Sequence, residues 1–132
     1  MIDKIEVRTP SHACLIDITA HVERAVSGHG VEEGVCYVFV PHTTAGITIN
    51  ENADPTVRAD ILKELEKMVP WEDNYRHSEG NSAAHIKASL TGSFQTVLVS
   101  RGKLQLGTWQ GVYLAEFDGP RTREVWVKII SG

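Results

Sequence analysis

Histidine and acidic side chains are concentrated in residues 77–92, "HSEGNSAAHIKASLTG", where the chain is predicted to enter a short helix. His77, Glu79 and His85 therefore lie near a helix start, where the helix dipole disfavours a protonated imidazole. His42 is a third candidate histidine, because it follows an apolar run and begins a polar stretch. Three neutral imidazoles from two such junctions could bind a divalent metal and leave a fourth position open for water or substrate. A metal-bound imidazole is unprotonated, so the helix start would not penalise it.

The spacing of these histidines leaves an alternative open. His77 and His85 are eight positions apart, which matches no standard zinc-ligand spacing, so ordinary polar histidines remain the other interpretation. Gly80 favours a shared site, because glycine permits a sharp turn that brings both rings to one side. The remaining histidines have no carboxylate or second histidine in local register and are interpreted as surface residues: His12, His21 and His29.

Apolar and acidic side chains alternate in "YLAEFDG", near the end of a predicted strand. This alternation places Glu116 and Asp118 on the face opposite the apolar residues. Two carboxylates on one face could hold a divalent cation or transfer a proton, which makes both residues catalytic candidates. The alternative is a pair of solvent-facing acids on an outer strand.

Groups suited to phosphate are also present. Phosphate recognition uses N–H donors, hydroxyls and arginine, and Thr43, Thr44 and Arg121 supply such groups, although no P-loop or dinucleotide-binding glycine pattern occurs. Trp109, within "LGTWQG", could stack on a planar ring or fill a core or subunit contact. The chain has no nucleophile elbow and no cysteine in an activating context, so covalent catalysis is not expected.

Three helices are predicted to position these residues. An aspartate cap, a proline at the first helical position and a 3.6-residue apolar period predict a helix over residues 55–68. A short helix over residues 82–91 is predicted to begin after Asn81 as its cap. A further short helix is predicted near the start of the chain, with Thr19 as its cap.

The predicted strands outnumber the helices. "IDKIEV" and "ACLIDI" could form a hairpin across the turn cluster "RTPS". The uninterrupted apolar run "VCYVFV" is typical of a strand buried on both faces, and it is predicted to lie deep in one sheet with "GITIN". Three more strands follow: "FQTVLVS", "GVYLAEFD" and "REVWVKII", with room for another between the first two. Strands without regular βαβ alternation predict a single α+β domain, residues 1–132, with two layers and a largely antiparallel sheet.

Composition limits the classes of partner. The chain has 132 residues, of which 42% are hydrophobic and 23% charged, with a net charge of -4. This balance gives no basic surface for nucleic acid or an anionic membrane, and no run is long enough to span a bilayer or act as a signal peptide. Cys14 and Cys36 lie in apolar strand-like runs, which favours a reduced, cytoplasmic protein.

Three blocks of the sequence carry a family resemblance: "HTTAGITINENADPTVRAD", "HSEGNSAAHIKASLTG" and "LGTWQGVYLAEFDGPRTR". They resemble the signature blocks of the YjbQ family, small proteins also described as secondary thiamine-phosphate synthases. The resemblance covers most of the chain from Val35 to the end, and the unbroken "GTWQG" of the third block is highly specific. The N-terminal part matches only in pattern.

The resemblance implies an α+β fold assembled as a homotrimer, with a polar pocket that contains His42, His77 and His85. It also implies a divalent metal at these histidines, such as zinc or magnesium. The implied activity is a weak thiamine-phosphate synthase reaction, which joins a pyrimidine pyrophosphate to a thiazole phosphate and releases pyrophosphate.

Roles for the remaining candidates follow from this resemblance. Glu116 and Asp118 would assist the metal, while Trp109 and Gln110 would shape the pocket. The phosphate of a small substrate would be bound by three residues: Thr43, Thr44 and Arg121.

Two other functional classes remain open. A metal-dependent hydrolase would use the same histidines to activate water, with Glu79 or Glu116 as the base. A trimer that senses or stores a small ligand or metal without turnover is the third class.

Overall fold

The computed structural model describes every residue from Met1 to Gly132. The chain forms three helices, which are α1 (Thr19–His29), α2 (Pro55–Met68) and α3 (Ser82–Thr91). It also forms eight strands: β1 (Asp3–Arg8), β2 (Cys14–Asp17), β3 (Gly34–Phe39), β4 (Ala45–Glu51), β5 (Phe94–Ser100), β6 (Lys103–Leu104), β7 (Gln110–Glu116) and β8 (Thr122–Ser131). No helix has both the length and the apolar composition that a membrane crossing requires.

The strands form two antiparallel sheets rather than one. The five-stranded sheet has the order β1-β8-β3-β5-β6, and the three-stranded sheet has the order β2-β7-β4. The inner faces of the two sheets pack together, because Val112 and Leu114 of β7 share a core with Val125 and Val127 of β8. Helix α1 closes this core with Val22. The predicted α+β class with antiparallel strands is confirmed.

The second face of the three-stranded sheet is covered by helices. Ala84 and Ala88 of α3 pack against Ala115 of β7 and against Phe117, the residue that follows β7, with Leu65 of α2 beside them. Every residue of β7 from Gly111 onward is buried as a result. Small alanines on α3 allow the helix to approach the sheet closely, which fixes the position of its first turn.

The outer face of the five-stranded sheet has no helix against it. Apolar side chains on this face are therefore exposed: Tyr37, Phe39, Phe94, Leu98 and Ile130. The prediction that "VCYVFV" is buried on both faces is wrong for the single chain, because Tyr37 and Phe39 are each 38% exposed.

Helix predictions from local signals hold well. Helices α2 and α3 have the predicted bounds, and the Asp54 side chain accepts a hydrogen bond from the Thr56 backbone N–H at 2.9 Å. Thr19 is not a cap, however. The Asp17 carboxylate accepts from the Thr19 N–H at 2.9 Å, and Thr19 Oγ1 instead accepts from the Val112 N–H at 2.8 Å.

Strand pairing differs from the sequence prediction in two places. The first two strands do not form a hairpin, since β1 pairs with β8 and β2 pairs with β7. Strands β3 and β4 also lie in different sheets. In both cases the chain crosses from one sheet to the other at a short turn. The free energy gained by burying the inner faces of both sheets exceeds the local preference of consecutive strands to pair with each other.

Candidate functional site

A polar cleft of about 460 Å³ opens where β3, β7 and β8 meet the start of α3. Antiparallel pairing explains the location, because the start of β4 lies beside the end of β7, with Ala45 opposite Glu116. We call this space the histidine cleft. Its lining is Pro41, His42, Thr43, Thr44, His77, Glu79, Asn81, His85, Asp118, Arg121 and Arg123. Only the proline in this set lacks a polar side chain.

A buried ion pair forms the floor of the histidine cleft. Glu116 and Arg123 are 0% and 2% exposed, and the guanidinium contacts the carboxylate through both Nε and Nη2. Thr9 Oγ1 donates to Glu116 Oε1 at 2.8 Å, and Arg123 Nη2 donates to Thr44 Oγ1 at 2.8 Å. The alternative of solvent-facing acids is therefore wrong for Glu116, because β8 supplies an arginine at the end of the inter-sheet core.

The charge state of Glu116 follows from these contacts. Burial alone raises the pKa of a carboxyl group, but hydrogen bonds from Arg123, the Asp118 backbone N–H and Thr9 outweigh burial and lower the pKa of Glu116. Glu116 is thus an anion whose oxygens are already occupied. This position suits a residue that orients the cleft floor rather than a base open to substrate.

His42 lies three residues after the end of β3 and lines the histidine cleft. Its Nε2 accepts a hydrogen bond from the Glu124 backbone N–H at 2.9 Å. Desolvation lowers the pKa of His42, and the positive charge of Arg123 lowers it further. A neutral ring whose Nε2 is an acceptor carries its proton on Nδ1. The ring of His42, which lines the cleft, therefore carries an Nδ1–H donor.

His77 and His85 lie side by side, as the sequence predicts. Their ring centroids are 5.6 Å apart and the rings are nearly perpendicular. The turn between His77 and Gly80 is closed by a backbone hydrogen bond of 3.1 Å, and Gly80 has a φ of +75°, which glycine adopts without strain. Glu79 lies 3.7 Å from His77 Nε2 and is exposed.

Two contacts hold α3, and therefore His85, against the rest of the chain. Lys87 is buried and donates to Glu66 of α2 at 2.5 Å. At the other end of α3, the Gly92 carbonyl accepts from the Ile47 N–H at 3.0 Å. A Cβ on Gly46 would lie 2.7 Å from that carbonyl oxygen, so β4 needs glycine at this position.

Asn81, Asp118 and Arg121 form a second polar group at the cleft wall. Asn81 Nδ2 donates to Asp118 Oδ2 at 2.9 Å, and Arg121 Nη2 donates to the same oxygen at 3.2 Å. Asn81 was predicted to cap α3, but its side chain makes no cap hydrogen bond because its amide is directed to Asp118. Arg121 Nε binds the Asp118 carbonyl at 2.8 Å, which leaves Nη1 without a partner. The Arg121 side chain is 49% exposed, so Nη1 is available to a ligand.

The three histidines line one cleft, but they do not form a three-ligand metal centre in this arrangement. No three histidine, cysteine or acidic side chains converge on a common point. The rings of His77 and His85 are adjacent. The ring of His42 differs from them, because its Nε2 already accepts a hydrogen bond from the Glu124 backbone N–H.

The two remaining predicted site residues lie elsewhere in the chain. Gln110 is the first residue of β7 and Trp109 precedes it, whereas Glu116 at the histidine cleft is the last residue of β7. Gln110 Oε1 accepts from the Gly107 N–H at 2.8 Å, and Trp109 is 63% exposed. Their predicted role in shaping the pocket stays a prediction, and within one chain they do not line the histidine cleft.

A second space adjoins the histidine cleft. It measures about 520 Å³ and shares His42, Thr43 and His85 with the cleft. We call it the small-residue pocket, because its other lining residues are Ala45, Ala88, Ser89, Gly92 and Ser93. His42, Thr43 and His85 therefore lie between the strongly polar histidine cleft and the less polar small-residue pocket.

Comparison with known proteins defines the class to which this fold and cleft belong. A sequence model described as "UPF0047 protein YjbQ-like" matches residues 3–132. The chain belongs to this family, as the three sequence blocks predicted.

The sequence similarity to individual relatives extends over nearly the whole length of both chains. The UPF0047 protein YugU of Bacillus subtilis is 48% identical over 132 residues, covering 99% of this chain and 100% of the relative. A UPF0047 protein of Methanocaldococcus jannaschii is 52% identical, covering 99% and 95%. The crystal structure of a YjbQ/UPF0047 family protein from Clostridium acetobutylicum is 57% identical, covers 97% of this chain and 99% of that one, and has a TM-score of 0.96.

Proposed function

We propose that the histidine cleft binds the phosphate of a small phosphorylated substrate. The observation that carries this proposal is Arg121, a half-exposed guanidinium with a free Nη1 among hydroxyl and imidazole donors. Arginine with neighbouring N–H and O–H donors is a strong combination for phosphate oxygens. The Nδ1–H of His42 and the hydroxyl of Thr43 add donors to the same space.

The reaction that this cleft supports best is a weak thiamine-phosphate synthase reaction. The bond between the pyrimidine methylene carbon and a pyrophosphate oxygen breaks, and pyrophosphate leaves with the bonding electrons. The thiazole nitrogen uses its lone pair to form the new carbon–nitrogen bond, which requires orientation but no proton transfer. Arg121 and His42 would donate hydrogen bonds to the leaving oxygens, where negative charge develops.

The small-residue pocket supports a two-part substrate. Alanine, serine and glycine leave room for a planar ring beside the phosphate-binding donors of the histidine cleft. A ring in the small-residue pocket would place its attached methylene near His42 and His85, which line both spaces. Such a placement orients the carbon at which the bond changes occur.

A divalent cation, zinc or magnesium, is a second part of the proposal. His77 and His85 would hold it, with remaining positions taken by water or substrate oxygens. Bound there, the cation would stabilise charge on phosphate oxygens.

Assembly as a homotrimer is a third part. The exposed aromatic and aliphatic side chains on the outer face of the five-stranded sheet support it, because contiguous apolar patches of this kind mark protein interfaces. A cytoplasmic location fits the two free cysteines, Cys14 and Cys36.

Pyrophosphate release tests the proposed reaction directly. Purified protein is incubated with the pyrimidine pyrophosphate and the thiazole phosphate, together and separately. Pyrophosphate that appears only with both substrates supports the synthase, and Arg121→Gln should lower its rate at least tenfold, since one charge-assisted contact contributes at least that much. Phosphate or pyrophosphate released from a single substrate would instead identify a hydrolase. Ligand retention without turnover would identify a binding protein.

A further inference from the structure

A separate groove lies on the other side of Arg121. It measures about 380 Å³ and is lined by Arg8, Thr9, Pro10, Pro120, Arg121 and Thr122. We call it the arginine groove. Arg121 is its only residue in common with the histidine cleft.

The arginine groove has the chemistry of an anion site. Two of its six lining residues are arginines, two are threonines and none is a carboxylate. This composition is unusual on a chain with a net charge of -4. Arg8 takes part in none of the ion pairs of the structure, so no internal acid neutralises it.

The backbone beneath the groove is held in place by hydrogen bonds. Arg8 is the last residue of β1 and pairs with Thr122 of β8. The next residue, Thr9, is buried, and its Oγ1 accepts from the Arg121 N–H at 2.8 Å while its N–H donates to the Arg121 carbonyl at 2.8 Å. The backbone positions from which the two arginine side chains extend are therefore fixed, and both side chains line the same groove.

We propose that the arginine groove binds the phosphate monoester of the second substrate, next to the phosphate bound in the histidine cleft. This inference rests on the proposed function, because a reaction between two phosphorylated molecules requires two anion sites within reach of each other. Arg121 lines both spaces, so its positive charge lies near both anions. Its shared position reduces the repulsion that would oppose binding of both substrates.

Titration with inorganic phosphate, followed by isothermal calorimetry and phosphorus NMR, tests the second site. Wild type should bind two phosphates per chain. In Arg8→Gln the affinity of the cleft site should be unchanged, and the affinity of the groove site should fall about tenfold. Arg24→Gln is the matched control, because Arg24 is an exposed arginine on α1 outside both sites. Circular dichroism checks that Arg8→Gln folds.

The outcomes separate this proposal from the proposed function. If wild type and Arg8→Gln bind the same number of phosphates with affinities within twofold of each other, the proposed site in the arginine groove is wrong. That result would not affect the proposal that the histidine cleft binds phosphate. A double variant, His77→Ala with His85→Ala, should weaken the Arg8-independent site only. In the synthase assay, Arg8→Gln should raise the KM for the thiazole phosphate about tenfold and leave the KM for the pyrimidine pyrophosphate within twofold. An equal rise in both KM values would contradict a substrate-specific groove.

Discussion

Glu116 on β7 and Arg123 on β8 form a fully buried ion pair that joins the two sheets beneath the histidine cleft. The pair lies at the end of β7 and the start of β8, the two strands whose valines and leucine contribute to the inter-sheet core. Thr9 and Thr44 complete the hydrogen bonds of the pair from two further segments. A single electrostatic contact thus fixes the relative position of four segments around the cleft.

Removing one partner of this pair should destabilise the protein strongly. Glu116→Gln leaves the Arg123 charge buried without a counter-ion, and we expect a loss of about 3–5 kcal/mol in the free energy of unfolding. Urea denaturation measures this loss. The double variant Glu116→Leu with Arg123→Met should be more stable than Glu116→Gln, because it removes both buried charges. A loss below about 1 kcal/mol for Glu116→Gln would show that the pair is solvated in solution.

The same pair predicts how stability depends on acid. The folded-state pKa of Glu116 is lowered from its unfolded value of about 4.3, so its contribution to stability is complete above that value. The contribution is lost as the pH falls through the folded-state pKa. Wild type should therefore lose more stability than Glu116→Gln between neutral pH and acid, as measured by urea midpoints at a series of pH values. Parallel curves for the two proteins would contradict this linkage.

The ring of His42 should be neutral and protonated on Nδ1 at neutral pH. Its Nε2 accepts from the Glu124 N–H, and desolvation together with Arg123 lowers its pKa below the usual value of about 6.5. Nitrogen chemical shifts identify the tautomer, and a pH titration by NMR measures the pKa. A neutral ring with its proton on Nε2 would rule out the donor role proposed for His42, and a pKa above 6.5 would contradict the neutral state expected for its ring.

Metal binding should depend on two histidines and not on the third. We expect wild type to contain the proposed zinc ion, His77→Ala and His85→Ala to lose it, and His42→Ala to retain it, because the rings of His77 and His85 are adjacent and His42 Nε2 is occupied by Glu124. Elemental analysis of each purified protein measures its zinc content. His21→Ala is the control, since His21 is exposed on α1 away from the cleft. Metal loss in His42→Ala would show that its ring rearranges on metal binding.

The outer face of the five-stranded sheet should control assembly. Leu98→Asp places a charge in the middle of the exposed apolar face, so we expect it to dissociate the proposed trimer to monomers. Leu90→Asp is a close control, because Leu90 is 59% exposed on α3 and Leu98 is 64% exposed on β5. Sedimentation equilibrium measures the oligomeric state of wild type and of both variants. A wild type that is monomeric, or a Leu98→Asp protein that stays trimeric, would exclude this face as the interface.

Local signals in the sequence were sufficient for several elements and for the histidine pair. Helix α2 begins after Asp54 because a carboxylate cap followed by proline satisfies the first turn regardless of the rest of the fold. His77 and His85 come together because the turn ending at Gly80 and the first turn of α3 are both short-range structures. The family resemblance could also be recognised from the sequence alone, because contiguous blocks of residues carry it.

Tertiary structure alone decided the sheet partners and the role of each polar residue. Glu116 alternates with apolar residues in a way that fits a solvent-facing acid as well as a buried one, and only the pairing of two sheets brings Arg123 to it. The Asn81 amide is drawn from its cap position to Asp118, which is 37 residues away in sequence. Arg8 and Arg121 share a groove for the same reason, since β1 pairs with β8. The sequence pattern of a helix or strand predicts which of its faces is apolar. Which other helix or strand packs against that face depends on contacts between residues far apart in the sequence.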